Sequence, residues 1–330
     1  MSDLIDLRTS ATPTAVVTGC AGFIGSHLSE RLIADGVRVI GIDAFRPYYD
    51  PAAKVDNLAA LNNEPNFELL ELDLATADLA PLMASADTVF HIAAQPGVRR
   101  SFGDGFTGYA MDNMVATQRV FEAAGEASCP RVVWASSSSV YGDAPAYPCV
   151  EATTPTEPRS PYGVTKRACE DLAAVYRMQG LSVVGLRYFT VYGPRQRPDM
   201  AIRRLCEALV GEGGTFPLFG DGNQTRDITF VGDVVEATVL AGRALDPEPI
   251  YNVGGGHEVT LNHVIATLEE LAGRRVEIER FAPQTGDVRR TGADSTAARQ
   301  SLGWHPNVPL AQGLANELEW VRAASAARVA

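Results

Sequence analysis

The sequence of 330 residues is poor in cysteine and in positive charge. Its five cysteines are scattered and odd in number, a pattern that predicts neither a disulfide framework nor a metal site. No apolar run approaches the length that spans a membrane. The formal net charge of -12 argues against a nucleic-acid partner. We therefore expect a cytoplasmic protein without metal, membrane or nucleic-acid partners, in which individual arginines bind any anionic ligand.

Residues 15–28 pass from an apolar strand pattern to a helical pattern through three glycines. Gly19 would permit a tight turn, Gly22 would let the backbone approach a pyrophosphate, and Gly25 would let a helix pack closely. A second apolar strand pattern over 37–42 ends at Asp43, where a carboxylate can bind a ribose diol. The negative charge of Asp43 would repel a 2′-phosphate, so the predicted cofactor is NAD rather than NADP.

A possible catalytic pair follows a Ser-Pro dipeptide. Ser160 and Pro161 are typical of the cap and first residue of a helix. Tyr162 and Lys166 then lie four residues apart, on one face of that helix. An adjacent ammonium and the positive end of the helix would lower the pKa of the phenol, which predicts a general base for oxidation of an alcohol. An isolated Tyr-x-x-x-Lys pair is more often a surface pair, but the nucleotide-binding pattern favours the catalytic interpretation.

Strand patterns over 67–72, 88–92, 131–135 and 182–187 alternate with helical patterns around residue 79 and over 113–127 and 162–179. This alternation predicts an α/β fold with a Rossmann-type doubly wound parallel sheet. We expect a flexible tail over 1–12, an NAD-binding domain over 13–190 and a smaller C-terminal α/β substrate-binding lobe over 191–330. Segments 234–245 and 250–253 are expected to return to the Rossmann lobe.

The motifs together resemble the extended short-chain dehydrogenase/reductase family, specifically its NAD-dependent sugar-nucleotide epimerases and dehydratases, over nearly the whole chain. They are Gly19-x-x-Gly22-x-x-Gly25, Asp43, Asp73-Leu74, His91-Ile92-Ala93-Ala94-Gln95, the serine run 136–139, Tyr162-x-x-x-Lys166 and Leu186-Arg187-Tyr188-Phe189. The resemblance implies Ser137, Tyr162 and Lys166 as catalytic residues. The implied cofactor-binding residues are Gly19, Gly22, Phe23, Ile24, Gly25, Asp43, Asp73, Leu74, Ala93, Ala94, Gln95, Asn113, Tyr162, Lys166 and Tyr188.

The residues after Ser137 favour one reaction of this family. Its 4,6-dehydratases carry Asp-Glu after the catalytic Thr, and its uronate decarboxylases carry a Glu two positions after it, whereas this chain has Ser138 and Ser139. Epimerisation is therefore the expected reaction. Serine hydroxyls without an acidic neighbour would also admit a carboxylate on the sugar.

Two stretches, 43–54 and 187–201, resemble the UDP-glucuronate 4-epimerases of this family. Thr190 stands where many UDP-hexose epimerases have Asn, and Arg195-Gln196 departs from the Trp-Gly that is frequent in these relatives. The resemblance implies a UDP-sugar as the ligand, either UDP-glucuronate or UDP-galacturonate. It also implies a homodimer that forms through the helices over 114–127 and 162–179. The implied substrate-binding residues are Arg99, Ser137, Ser138, Ser139, Tyr162, Thr190, Arg197, Phe216, Pro217, Arg226 and Arg289.

Several alternatives remain open at this stage. Arg99 is equally consistent with a structural ion pair, and Arg195, Arg197 and Arg203 alone would suggest a solvated basic face. The chain could be another UDP-sugar 4-epimerase, acting on UDP-glucose, UDP-galactose or N-acetyl sugars, or a UDP-glucuronate decarboxylase. A more remote alternative is an NAD-binding scaffold without activity, because a fold alone does not imply a function.

Overall fold

The computed structural model describes residues 12–211, 213–256, 258–284 and 286–329, so the predicted tail lies outside the described residues except for Thr12. The strands are β1 Thr14–Thr18, β2 Arg38–Asp43, β3 Phe67–Glu71, β4 Thr88–His91, β5 Val132–Ser137, β6 Val183–Tyr188, β7 Thr190–Tyr192, β8 Thr215–Phe219, β9 Thr225–Phe230, β10 Ile250–Val253, β11 Glu258–Thr260 and β12 Glu277–Phe281. The α-helices are α1 Phe23–Ala34, α2 Pro51–Asn57, α3 Ala80–Ala84, α4 Phe106–Tyr109, α5 Ala116–Glu126, α6 Pro161–Met178, α7 Ala201–Val210, α8 Val231–Arg243, α9 Leu261–Ala272, α10 Thr296–Leu302 and α11 Leu310–Val329. A π-helix, Ala110–Val115, joins α4 to α5.

Seven parallel strands form the main sheet in the order β10-β6-β5-β4-β1-β2-β3. Successive side chains of a strand point to opposite faces, so Val16 packs in the layer with α3, α5 and α6 and Val17 packs in the layer with α1 and α8. Helices thus cover both faces. The predicted Rossmann-type doubly wound sheet is confirmed.

The later part of the chain builds a second apolar core. Strands β7, β9 and β11 form a three-stranded sheet, and β8 pairs with β12. Helices α7, α9 and α11 pack around buried side chains that include Leu205, Phe216 and Leu268. Two later elements belong to the lobe of the seven-stranded sheet, as predicted for 234–245 and 250–253. Strand β10 hydrogen-bonds to β6, and helix α8 packs against α1.

Three further observations concern the described part of the chain. None of its helices combines the length and apolar character needed to cross a bilayer. Its His, Cys, Asp and Glu side chains form no group of three or more that could hold a metal ion. All five cysteines are buried and unpaired, so they fill the interior.

Candidate active site

The turn after β1 has the shape of a phosphate-binding cradle. Gly19 has a φ of +71°, and a Cβ there would lie 2.8 Å from the backbone of Ala93. A Cβ on Gly25 would lie 2.1 Å from the carbonyl oxygen of Gly19, so only glycine lets α1 approach the turn this closely. The first turn of α1 carries no acidic residue, which leaves its positive end available to an anion. These features fit a dinucleotide pyrophosphate.

A cavity of about 380 Å³ extends from this turn to α6, and we call it the cofactor cavity. Every predicted cofactor residue except Asn113 lines it: Gly19, Gly22, Phe23, Ile24, Gly25, Asp43, Asp73, Leu74, Ala93, Ala94, Gln95, Tyr162, Lys166 and Tyr188. Asn113 is buried in the π-helix behind this wall. Its side chain accepts from the backbone N–H of Gln95 at 2.7 Å and donates to the carbonyl oxygen of Gln95 at 3.1 Å. Asn113 therefore supports the wall instead of facing the cavity.

Tyr162 and Lys166 stand one turn apart near the start of α6. As predicted, Ser160 caps this helix, because its hydroxyl accepts from the N–H of Gly163 at 3.1 Å, and Pro161 is its first residue. The Lys166 ammonium is buried and donates to the carbonyl oxygen of Ala135 at 2.8 Å. Both side chains face the cofactor cavity.

The pKa of the Tyr162 phenol differs from the expectation. Burial raises this pKa, and the neighbouring Ser137 hydroxyl and the charge of Arg197 only partly offset the effect. Burial also lowers the pKa of Lys166 to about 8. The predicted lowering of the phenol pKa is therefore wrong for this structure. A four-residue spacing determines the helix face, but the long Lys166 side chain ends at the carbonyl of Ala135.

The serine run lies at the carboxyl end of β5 and in the short 3₁₀ helix that follows. The Ser137 hydroxyl accepts from the N–H of Ser139 at 3.1 Å, and Ser137 lines the cofactor cavity with Tyr162. Ser136 also lines the cofactor cavity, and its hydroxyl donates to Glu170 on α6 at 2.7 Å. The neighbouring hydroxyls of Ser136 and Ser137 thus have different partners, one on α6 and one in the serine run itself.

Besides Ser136, whose hydroxyl is bonded to Glu170, four serine and threonine residues line the cofactor cavity together with Tyr162, and we call them the hydroxyl cluster: Ser137, Ser138, Ser139 and Thr190. Arg197 lines the same cavity and forms an ion pair with Asp199 at 3.0 Å. Its guanidinium also lies 5.8 Å from the ring centroid of Tyr48. The hydroxyl cluster and Arg197 could hold a polar or anionic substituent of a ligand bound at Tyr162.

A second cavity, of about 710 Å³, adjoins the first, and Tyr48, Gly97 and Thr190 line both. Among the predicted substrate residues, Arg99, Phe216, Pro217 and Arg226 line this second cavity.

The structure places the two predicted substrate residues Arg99 and Arg289 in different environments. The Arg99 guanidinium pairs with Asp287 at 2.9 Å and lies 4.7 Å from the ring centroid of Phe219, so it is ion-paired and also part of the wall. Arg289 is not among the residues that line either cavity. Its side chain is 83% exposed and lies 3.9 Å from Asp221. The structure therefore does not bring Arg289 together with the other predicted substrate residues.

The interpretation of Arg195, Arg197 and Arg203 as a solvated face is wrong. Arg195 pairs with Glu30 on α1 at 2.6 Å, which fastens the loop after β7 to the cofactor-binding helix. Arg203 is buried and lies 4.2 Å from the ring centroid of Trp320. Each guanidinium thus has a partner from a distant part of the chain.

Sequence reasoning assigned no role to two residues at the cavities. Tyr48 lies between them, with the Arg100 guanidinium 4.7 Å from its ring centroid. Lys54 donates to the Asp43 carboxylate at 2.8 Å. Both belong to the stretch 43–54 that carried a resemblance, but no periodic pattern indicates that α2 turns Lys54 back onto the end of β2.

Comparisons with known proteins agree with this geometry. The family model described as the NAD dependent epimerase/dehydratase family matches residues 15–254. The Bacillus subtilis protein YtcB, an uncharacterized UDP-glucose epimerase, is 41% identical over 309 residues, which cover 93% of this chain and 97% of YtcB. The UDP-glucuronate 4-epimerase of Thermodesulfobacterium geofontis is 34% identical over 311 residues, which cover 92% of this chain and 95% of that protein. The crystal structure of UDP-glucuronic acid 4-epimerase from Bacillus cereus, in complex with UDP-glucuronic acid and NAD, has a TM-score of 0.89 and 36% identity, covering 94% of this chain and 99% of that chain.

The fold and the site define a dinucleotide-dependent enzyme with the Tyr and Lys arrangement of the short-chain dehydrogenases. The family match spans most of the described residues. The chain belongs to the NAD dependent epimerase/dehydratase family. It is an enzyme of the NAD-dependent UDP-sugar epimerase group, and the predictions of the family and of NAD as cofactor are confirmed.

Proposed function

We propose that this protein interconverts UDP-glucuronate and UDP-galacturonate by epimerisation at C4. The observation that carries the proposal is the hydroxyl cluster, which lines the cofactor cavity with Tyr162 and Arg197. Three consecutive hydroxyls at 137–139 supply hydrogen-bond donors for a sugar carboxylate and no acidic group that would repel it. The Bacillus cereus structure with UDP-glucuronic acid supports the same substrate class.

The protein's own groups would manage the proton at C4. Tyr162 would take the proton of the C4 hydroxyl, and the neighbouring Ser137 hydroxyl, which lowers the pKa of the phenol, would stabilise the phenolate that must form first. The Lys166 ammonium, charged below a pKa of about 8, lies one helical turn away. NAD, when bound, supplies a hydride acceptor for C4 and returns the hydride. Inversion then requires the cavity walls to let the oxidised sugar present its other face before reduction.

The second cavity suits the UDP part of the ligand. Phe216 and Pro217 provide an apolar wall on which a uracil ring can pack. Burial lowers the pKa of the Arg226 guanidinium, because removing its positive charge from water is unfavourable. A bound diphosphate would offset this desolvation by supplying negative charge. With UDP in this cavity, the sugar would lie at the shared wall formed by Tyr48, Gly97 and Thr190.

The substrate carries a chemical hazard that the site would have to control. Oxidation of a glucuronate at C4 gives a β-keto acid, which loses its carboxylate easily when the bond to the carboxyl carbon aligns with the carbonyl π system. Hydrogen bonds from the hydroxyl cluster would hold the carboxylate out of that alignment. On this proposal, the same residues select the uronate and suppress decarboxylation.

A product assay tests the proposal. The purified protein is incubated with UDP-glucuronate, without added NAD, and the nucleotide sugars are separated by chromatography. We expect UDP-galacturonate and no pentose product. A UDP-pentose as the main product would overturn the proposal in favour of decarboxylation, and retained NAD without turnover would favour a scaffold.

UDP-glucose is the second candidate substrate, and one observation favours it. The charge of Arg197 is paired with Asp199, which leaves less positive charge for a sugar carboxylate. YtcB, an uncharacterized UDP-glucose epimerase, shares 41% identity with this chain. A parallel incubation with UDP-glucose decides between the two: faster formation of UDP-galactose than of UDP-galacturonate would favour the neutral sugar.

We also propose a homodimer and a cytoplasmic location. Four apolar side chains around α4, the π-helix and α6 are 37 to 48% exposed and could pack against a second copy: Phe106, Met111, Val115 and Val164. Light scattering should give twice the chain mass of 35.2 kDa, and a monomer would refute the dimer. The five unpaired cysteines suit the reducing cytoplasm.

A further inference from the structure

Three N–H donors converge on the carboxylate of Asp43 at the end of β2. Its Oδ1 accepts from the backbone N–H of Phe45 at 2.8 Å and from the Lys54 ammonium at 2.8 Å. Its Oδ2 accepts from the backbone N–H of Ala21 at 3.3 Å. The donors come from the glycine turn, from the loop after β2 and from α2. Together the three donors form a preorganised anion-binding site, and the Asp43 carboxylate, on a side chain that is only 5% exposed, is the anion bound there.

Other contacts hold these donors in place independently of Asp43. The Lys54 side chain is 12% exposed, and its ammonium lies 5.9 Å from the ring centroid of Phe45. Phe45 itself has a φ of +47°, the left-handed conformation of a tight turn. The segment of Ala21 is held by the side chain of Asn57, which donates to the carbonyl oxygen of Ala21 at 3.0 Å. The site should therefore keep its shape when the carboxylate is removed.

The anion site lies on the wall of the cofactor cavity, which Asp43, Lys54 and Arg46 all line. From the sequence, the negative charge of Asp43 is expected to select NAD over NADP. In the structure, Lys54 balances that charge at 2.8 Å, whereas the nearby Arg46 is paired with Asp73 and Asp112. Repulsion by an uncompensated carboxylate is therefore not a sufficient reason to exclude a 2′-phosphate.

We propose that Lys54 and the N–H groups of Ala21 and Phe45 form a phosphate-competent site, and that the protein selects NAD because the Asp43 carboxylate already fills it. The inference rests on NAD as the cofactor and not on the identity of the sugar. A phosphate monoester, such as the 2′-phosphate of NADP, presents oxygens that can accept from the same three donors. Lys54 is then a specificity-determining residue in addition to Asp43.

The wild type and two variants test this proposal by the nucleotide they retain, without any assay of activity. Wild type, Asp43→Gly and Asp43→Gly/Lys54→Met are each incubated with equal excess NAD and NADP and desalted. The bound dinucleotides are then released and quantified by chromatography. Asp43→Gly should raise the retained ratio of NADP to NAD, and Lys54→Met in that background should lower it again by about tenfold to a hundredfold, the effect of one charge-assisted hydrogen bond. Both variants lack the carboxylate that would bind the ribose diol, so the difference between their NADP-to-NAD ratios reports the effect of Lys54 alone.

The proposal has two ways to fail. An equal ratio in Asp43→Gly and Asp43→Gly/Lys54→Met would overturn the role of Lys54. Asp43→Asn keeps the site filled while removing the charge, so it should retain much less NADP than Asp43→Gly. Equal NADP retention by these two variants would show that charge, and not occupation, excludes the phosphate. Asp43→Ala replaces Asp43→Gly in both comparisons if circular dichroism shows that the glycine variant does not fold.

Discussion

At the scale of single residues, the proposed chemistry depends most on the phenol of Tyr162. It lies at the cofactor cavity, which Ser137 also lines, and one turn from Lys166. Tyr162→Phe should lower kcat by about 10²- to 10⁴-fold, because it removes the group that transfers the proton. Retention of NAD should be unchanged, which separates a chemical defect from loss of the cofactor. A variant that keeps more than a tenth of the wild-type rate would exclude Tyr162 as the base.

The position of Ser139 tests the proposed control of the sugar carboxylate. Ser139→Glu introduces a negative charge into the hydroxyl cluster, and repulsion should displace the carboxylate and raise the share of carbon dioxide and pentose product. Ser139→Gln has nearly the same size without the charge and is the matched control. The measurement is the ratio of pentose to 4-epimer in each variant. If the two variants bind substrate and give equal ratios, charge repulsion at position 139 does not displace the sugar carboxylate.

Residue-scale predictions from the sequence succeeded where the determining contacts are local. Ser160 caps its helix because its partner, Gly163, is three residues away. The pKa of Tyr162 was mispredicted because the end point of the Lys166 side chain depends on β5, which packs beside α6. Likewise, no local pattern indicates that Arg289 lies at the surface.

At the scale of elements, a buried ion pair joins α6 to β6 directly behind the serine run. Glu170 accepts from Arg187 at 2.7 Å and from Ser136, and both charged side chains are at most 10% exposed. Glu170→Met or Arg187→Met alone should lower the free energy of unfolding by about 3 to 5 kcal/mol, since each leaves an unpaired buried charge. The double variant should lose much less than the sum. Urea denaturation measures the free energy of unfolding of the two single variants and the double variant. Additive losses of this free energy would mean that Glu170 and Arg187 are not coupled.

The predictability of the elements follows their burial and spacing. Strands β1 to β6 were predicted within one or two residues, because each is a short apolar run between helical patterns. The three-stranded sheet was not predicted, since β7, β9 and β11 are only three to six residues long and pair across large sequence separations. Their pairing depends on the core around Leu205 and Leu268, which forms only in the folded chain.

At the scale of the whole molecule, stability should depend on pH through Glu317 on α11. One oxygen of this buried carboxyl group accepts from the N–H of Gly193 at 2.8 Å, and the other has no partner among the described residues. Burial raises the pKa of Glu317 from its usual 4.5 to about 8. Between these two values the folded protein binds more protons than the unfolded chain. The free energy of unfolding should therefore fall as pH rises, by up to about 1.4 kcal/mol per pH unit from this group.

Glu317→Gln should remove that dependence. Compared with wild type, the variant should become progressively more stable from pH 5 to pH 8, as measured by urea denaturation at each pH. Glu319→Gln, an exposed position on the same helix, is the control and should follow wild type. Parallel stability curves for wild type and Glu317→Gln would show that Glu317 is not the titrating group.

The central claim, that the molecule is a UDP-uronate 4-epimerase, is tested most directly by competition. Equal concentrations of UDP-glucuronate and UDP-glucose are mixed with the purified protein in one tube, without added NAD, and both 4-epimers are followed by proton NMR. UDP-galacturonate should form first, because the hydroxyl cluster supplies hydrogen-bond donors for the carboxylate. Preferential formation of UDP-galactose, or a UDP-pentose in place of either epimer, would contradict it.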